Sequence, residues 1–312
     1  MRRGVFDVLR RGADNTIANW QLILIRIAGM LVFAVLTVLA VIVALVPILV
    51  SVGIELSNLT TIDDVEGALF SLMEKWILLV WIFVAISVLL LIFIALHSFV
   101  VAGSARVYVD AERMAGPALT GARSRFRAFS MERWLAGGKD GWWTVFWIYN
   151  VAWGLAGLIL LIPLLPTMLG VLMLHEKPPA AVTVGCAGLV ITVLLMLIVG
   201  PLTGIWVNRS INDWAVHRFG ARESLAAGRA AMRTDFGRHL LVFIAVFVVS
   251  MAGASFFSSF SFLAAFGDIF GRHDGAFSFL FPLRIMGSVL STIFSTIVSA
   301  WYLTSYSALA TE

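Results

Sequence analysis

The sequence predicts an all-α integral membrane protein with six transmembrane helices. Three observations carry that expectation. Of the 312 residues, 61% are hydrophobic and only 13% charged, about half the charged share of roughly 25% found in soluble domains; the mean hydropathy is +0.98. Six apolar runs each exceed the roughly 20 residues that a bilayer crossing needs. Basic residues are concentrated in alternate loops. The runs are too long and unbroken for barrel strands, so they must be helices, whose backbone groups are satisfied internally.

The spans fall at about 20–53, 75–103, 142–174, 181–207, 240–266 and 280–305. The N-terminal segment and the loops at 104–141 and 208–239 together hold 17 Lys/Arg and 9 Asp/Glu, against 4 and 8 in the three loops on the other side. That asymmetry predicts that both termini and the two long basic loops lie in the cytoplasm. The net charge of +4 and pI of about 9.6 follow from those loops, and no nucleic-acid partner is expected. Cys186 is the single cysteine, so no intrachain disulfide can form. The opening "RRGVF" echoes a twin-arginine signal, but the apolar run behind it is too long for a cleaved leader and reads as a retained first span. Trp20, Trp76, Trp142, Trp143, Trp206 and Trp301 fall near span ends, as interfacial anchors do.

Each odd-numbered span is preceded by a basic stretch with helical periodicity. Before span 1, "VFDVLRRGADNTIANW" places Phe6, Leu9, Ala13, Ile17 and Trp20 on one stripe, with Arg10, Arg11 and Asp14 off it. Before span 3, "GARSRFRAFSMERWLAGGKDGWW" interleaves Phe126, Phe129, Trp134 and Leu135 with arginines. Before span 5, "ESLAAGRAAMRTDFGRHLL" sets Leu225, Met232 and Phe236 among Arg222, Arg229, Arg233 and Arg238. Such helices can lie in the membrane interface with their arginines at anionic headgroups. The even-numbered spans close alike, as "VAGSARVYVDAERMAG", "LTGIWVNRSINDWAVHRFG" and "VSAWYLTSYSALATE". The expectation is one membrane domain over 1–312, built as three copies of interfacial helix plus hairpin (1–116, 117–220, 221–312).

The segments "FDVLRRGADNTIANWQLIL", "RFRAFSMERWLAGGKDGWWTVFW" and "SLAAGRAAMRTDFGRHLLVF" carry a resemblance. In them the chain resembles the bacterial multi-span membrane domain sometimes fused to glycerophosphodiester phosphodiesterases, and related inner-membrane proteins of unknown function. The resemblance implies an architecture and a compartment, the bacterial inner (cytoplasmic) membrane. The phosphodiesterase activity of that family belongs to a separate soluble domain, so no catalytic residue is carried over.

The search for chemistry is led by ionisable groups inside spans, which are costly to bury. Arg26, one or two turns into span 1, is read either as snorkelling to the headgroups or as binding a lipid phosphate. Arg123, Arg125, Arg127, Arg229 and Arg233 are expected at anionic headgroups. His97 is a helix-packing residue or a candidate haem or pigment ligand. No catalytic constellation, metal cluster or cofactor motif is found. Glu55, Asp63, Asp64 and Glu66 read as solvated charge, and "NLT" at 58–60 as an acceptor sequence without a setting. In span 4 Gly200 and Gly204, and in span 6 Ser291, Ser295 and Ser299, form small-residue faces for helix packing, subunit contact or a polar cavity wall. Pro163, Pro166 and Pro201 are expected to kink or end their helices.

These features favour a non-enzymatic membrane protein that binds or organises anionic lipid or other membrane proteins, alone or as a homo-oligomer. Two alternatives stay open: a transporter or lipid-moving protein with a cavity between spans 4 and 6, and an accessory subunit of a redox or pigment complex.

Overall fold

The computed structural model of the chain describes residues 3–52, 76–116, 123–174, 176–270 and 277–312. The acidic stretch at 55–66 with its "NLT", and His175 and His273, lie outside the described residues. Among those described, every regular element is helical. Helix α1 covers Val5–Ala18, α2 Gln21–Val52, α3 Trp76–Ala115, α4 Met131–Met173, α5 Pro178–His217, α6 Ala221–Thr234, α7 Phe236–Phe270 and α8 Phe277–Ala310, with one 3-10 turn at Arg123–Phe126. Helices α2, α3, α4, α5, α7 and α8 are long and apolar enough to cross a membrane, so the chain is an all-α, multi-pass membrane protein.

Hydropathy marks where lipid begins, and a helix need not stop there. α3 and α5 continue well past the expected ends at 103 and 207, into a layer at the end of the bundle that carries both termini, here called the basal end. α3 ends where Gly116 turns left-handed at φ 66°, a conformation that costs glycine little. α5 ends on a left-handed Arg218 at φ 62°, whose guanidinium stacks 5.3 Å over the Trp214 ring. Burial, together with the neighbouring Arg106 cation, pushes that guanidinium below its ordinary pKa. The prolines do not end their helices: Pro163 and Pro166 lie inside α4 and Pro201 inside α5.

The expectation of a separate amphipathic helix before span 3 is corrected. Residues 131–141 are the first turns of α4 itself, which is 43 residues long. Ser130 caps it by accepting from Arg133 N at 3.2 Å. Gly137 and Gly138 do not break the helix, because both face α3 at close range. A Cβ on Gly137 would lie 2.7 Å from Arg106 Cβ, and one on Gly138 2.7 Å from the Phe99 ring.

Helix α1 leaves much of its apolar stripe outward, although Leu9 packs on the core. Phe6 is 79% exposed and Trp20 53%, with Ile17 also exposed, while Val8, Arg11, Asn15, Thr16 and Asn19 are buried. The buried face is polar, and its groups are paired. Asn15 Nδ2 donates to Tyr108 O at 3.0 Å. Asn19 Nδ2 donates to Phe126 O at 2.7 Å, and its Oδ1 accepts from Ala128 N and Phe129 N at 3.0 Å each. Arg11 Nε meets Glu112 Oε1 at 2.5 Å and Arg3 Nη1 meets the same oxygen at 2.9 Å. Arg11, expected off the stripe and near headgroups, is therefore part of the core.

The three basal segments dock on even-numbered spans with shared offsets. Trp301 of α8 donates its indole N–H to Leu9 O at 2.8 Å, and Trp206 of α5 donates to Leu225 O at 2.8 Å. Four residues beyond each tryptophan stands a serine, Ser305 or Ser210; three beyond each leucine stands a glycine, Gly12 or Gly228. A Cβ on those glycines would lie 2.4 and 2.3 Å from the serine Oγ. On α3 and α4 the same offsets hold Phe99 with Gly103 and Trp134 with Gly137. There the Phe99 and Trp134 rings meet edge-on at 5.5 Å. Seven residues beyond Gly12 and Gly228, at Asn19 and Asp235, α1 and α6 end; α4 runs on through the matching Thr144. Trp206 and Trp301, expected as interfacial anchors, are thus latches that hold basal helices.

The three even-numbered spans α3, α5 and α8 touch one another at the basal end. Ser307 Oγ donates to Asn212 Oδ1 at 2.6 Å, Asn212 Nδ2 to Leu303 O at 3.3 Å, and Arg106 Nη1 to Ala215 O at 3.1 Å. Val101, Ala105, Tyr108, Ile211, Ala300 and Leu303 fill the space around these bonds. Further along the spans, residues such as Leu31, Ile162 and Leu197 are exposed. Lipid is as apolar as leucine, so nothing drives those faces together, and association rests on packing and hydrogen bonds.

Candidate functional site: a groove at Arg26

A cavity of ≈ 440 Å³ opens between α2, α3 and α8. Each helix contributes one face. From α2, Arg26, Gly29, Met30 and Phe33 follow at spacings of three and four; from α3 come Phe93, Leu96, His97 and Val100; from α8 come Ser291, Ser295 and Ser299, with Thr292 and Thr296 beside them. The groove starts just beyond the packed basal layer, where α2 leaves the surface that α1 shares with α8. Its far wall is aromatic: the Phe33 and Phe93 rings lie 4.1 Å apart, and Phe93 stacks on His97 at 5.7 Å.

Arg26 supplies the charge. Its Nη1 donates to Ser299 Oγ at 3.3 Å, a weak, exposed contact. Its Nε and Nη2 are screened from solvent and have no hydrogen-bond partner. A guanidinium offers five N–H donors in a planar fork suited to a carboxylate or phosphate. Left unpaired inside a bilayer, such donors are costly. His97 Nε2 pairs with Tyr149 Oη of α4 at 3.2 Å, so it is held at one edge of the groove by a side-chain partner. Among the described residues no group of three His, Cys, Asp or Glu side chains stands together.

The remaining residues singled out by sequence lie elsewhere. Arg123 pairs with Asp14 at 3.2 Å with its side chain mostly exposed. Arg125, Arg229 and Arg233 are exposed on the basal surface. Arg127 lines a shallow polar cleft with Ser130, Glu132 and Arg133. Gly200 and Gly204 do not mark a close helix contact: a Cβ on either would meet nothing within 4 Å. The close approaches of α5 occur instead at Gly188, against Thr167, and at Ser210, against Gly228. The groove at Arg26 lies between spans 1, 2 and 6, whereas the sequence pointed to a cavity between spans 4 and 6. It shares with that expectation the α8 serines and adds Arg26. Sequence reasoning did not select Phe33, Phe93 or Tyr149. Apolar and aromatic residues are so common in these spans that only the tertiary fold separates wall from lipid face.

Comparison with protein-family models, with curated proteins and with solved structures finds no match to this chain.

Proposed function

We propose that the chain is a non-enzymatic protein of a bacterial inner membrane, with both termini on the cytoplasmic side, that binds an anionic lipid at Arg26. One observation carries the reading: Arg26, whose Nε and Nη2 are buried without a hydrogen-bond partner, lines a groove with mainly apolar walls on α2 and α3 and hydroxyls along α8. A lipid phosphodiester would pair with those donors while its acyl chains lie along Met30, Phe33, Phe93 and Leu96. The exposed arginines at 123, 125, 127, 229 and 233 serve as a second, diffuse attraction for anionic headgroups at the basal interface. The outward apolar stripe of α1 supports an interfacial position for that helix.

The shared offsets of the three basal latches support three copies of one unit. In that arrangement the copies are not equivalent as binding sites. Arg26 stands fourteen residues beyond Gly12; the matching positions beyond Gly137 and Gly228 are Val151 and Val242. Only the first copy carries the cation. The likeness to the phosphodiesterase-associated membrane domain fits this reading, as a domain that works among phospholipids.

The test is retention of lipid. The protein is extracted in mild detergent from a bacterial membrane containing phosphatidylglycerol, and native mass spectra are recorded for the wild type and Arg26→Gln. A charge-assisted hydrogen bond is worth about 2 kcal/mol, so occupancy should fall roughly 30-fold in affinity terms. Equal retention of anionic lipid by both proteins would contradict the proposal.

A further inference from the structure

The groove continues away from Arg26 as a polar track. Ser299, Ser295 and Ser291 follow one another along α8 at four-residue spacing, and all three line the open space. At 1.5 Å per residue they cover about 12 Å of a hydrocarbon core roughly 30 Å thick. The adjacent threonines turn their hydroxyls into the helix: Thr292 Oγ1 donates to Ser288 O at 2.9 Å and Thr296 Oγ1 to Thr292 O at 2.7 Å. The serine nearest the arginine accepts from it. Opposite the serines stand Met30, Phe33, Phe93 and Leu96. The groove is thus amphipathic along its length, hydroxyl on the α8 side and apolar on the other. Met30, Leu96, Ser295 and Ser299 are all exposed, so the groove opens sideways to the bilayer. Acyl chains give a serine hydroxyl no partner, whereas a lipid headgroup drawn below the interface does.

We propose that this groove is a lipid translocation path. An anionic phospholipid enters sideways with its phosphodiester on Arg26. Its headgroup then moves along Ser299, Ser295 and Ser291 while its chains remain in the bilayer, and the passage is passive and reversible. The inference rests on the lipid-binding reading and adds movement to it. Arg26 loads the path and the α8 serines lower its barrier.

The experiment uses the full chain reconstituted in unilamellar vesicles of phosphatidylcholine and phosphatidylglycerol, with a trace of tail-labelled fluorescent phosphatidylglycerol. A membrane-impermeant reductant bleaches the outer leaflet, and the slow phase reports lipid arriving from inside. The wild type should bleach beyond the outer-leaflet pool much faster than protein-free vesicles. Replacing Ser291 and Ser295 together by Val keeps Arg26 and should slow that phase roughly fivefold to tenfold while native mass spectra still show bound lipid. Ser291→Ala with Ser295→Ala, which adds no bulk, should slow it similarly. A wild type that retains lipid but bleaches no faster than protein-free vesicles overturns the path and leaves the binding site standing. So does a serine-to-alanine pair that moves lipid at the wild-type rate. A wild type that retains no anionic lipid overturns the binding site itself.

Discussion

Two seams of this bundle join a span to the span of a neighbouring hairpin, and they are built oppositely. Where α4 meets α3, three glycines bring the backbones together: Gly137 faces Arg106, Gly138 faces Phe99, and Gly103 of α3 faces Trp134. Where α2 meets α8, the facing side chains are Arg26, Met30 and Phe33, and the ≈ 440 Å³ cavity separates the helices. The first seam is sealed by packing. The second is closed at its basal edge by α1, through the Trp301–Leu9 and Thr304–Gly12 bonds at 2.8 Å each, and is crossed further on by the weak 3.3 Å Arg26–Ser299 contact. In a bilayer a seam stays open unless small residues or hydrogen bonds close it. The open seam is also the one that carries the intramembrane cation.

Substitutions in and around the two seams should act with effects of decreasing size. Glu112 is buried and receives both Arg3 and Arg11, tying α1 to α3. Glu112→Ala leaves two guanidinium groups without their carboxylate and should cost about 3–5 kcal/mol, seen as a large fall in the detergent unfolding midpoint. Gly138→Val attacks the sealed seam: even a Cβ there would lie 2.7 Å from the Phe99 ring. Overpacking of this kind should cost roughly 1–3 kcal/mol, measured in the same assay, with lipid retention at Arg26 preserved in the folded fraction. Trp301→Phe removes one indole donor from the α1 latch. A loss of about 1 kcal/mol is expected, with faster hydrogen exchange in α1 than in α6. Gly204→Ala, at a position with nothing within 4 Å, should be neutral or stabilise by up to about 1 kcal/mol through helix propensity. A marked loss there would show that α5 packs closely at the very place where it is open.

The spans were legible because lipid selects for hydropathy over a length set by the bilayer, and Gln21–Val52 matches the expected 20–53 almost residue for residue. Their basal ends were not, because an amphipathic tail can continue as helix beyond the lipid until a left-handed residue such as Gly116 or Arg218 stops it. Periodicity alone did not say which face of α1 would dock: the protein buries Arg11, Asn15, Thr16 and Asn19 and leaves Phe6 and Trp20 outward. Arg26 was visible as an ionisable group within an apolar run. Its surroundings were hidden, since small residues mark close contact only when they face a neighbour. Gly200 and Gly204 do not, while Gly12 and Gly228 do.

The most direct measurement is an electron cryomicroscopy map of the protein in nanodiscs containing phosphatidylglycerol. The expected result is density for a lipid headgroup in the groove, with a phosphate oxygen about 3 Å from the Arg26 guanidinium and acyl density leaving between α2 and α8. A groove collapsed so that the Arg26 N–H groups bond only to protein, or one that holds no headgroup, would contradict the account.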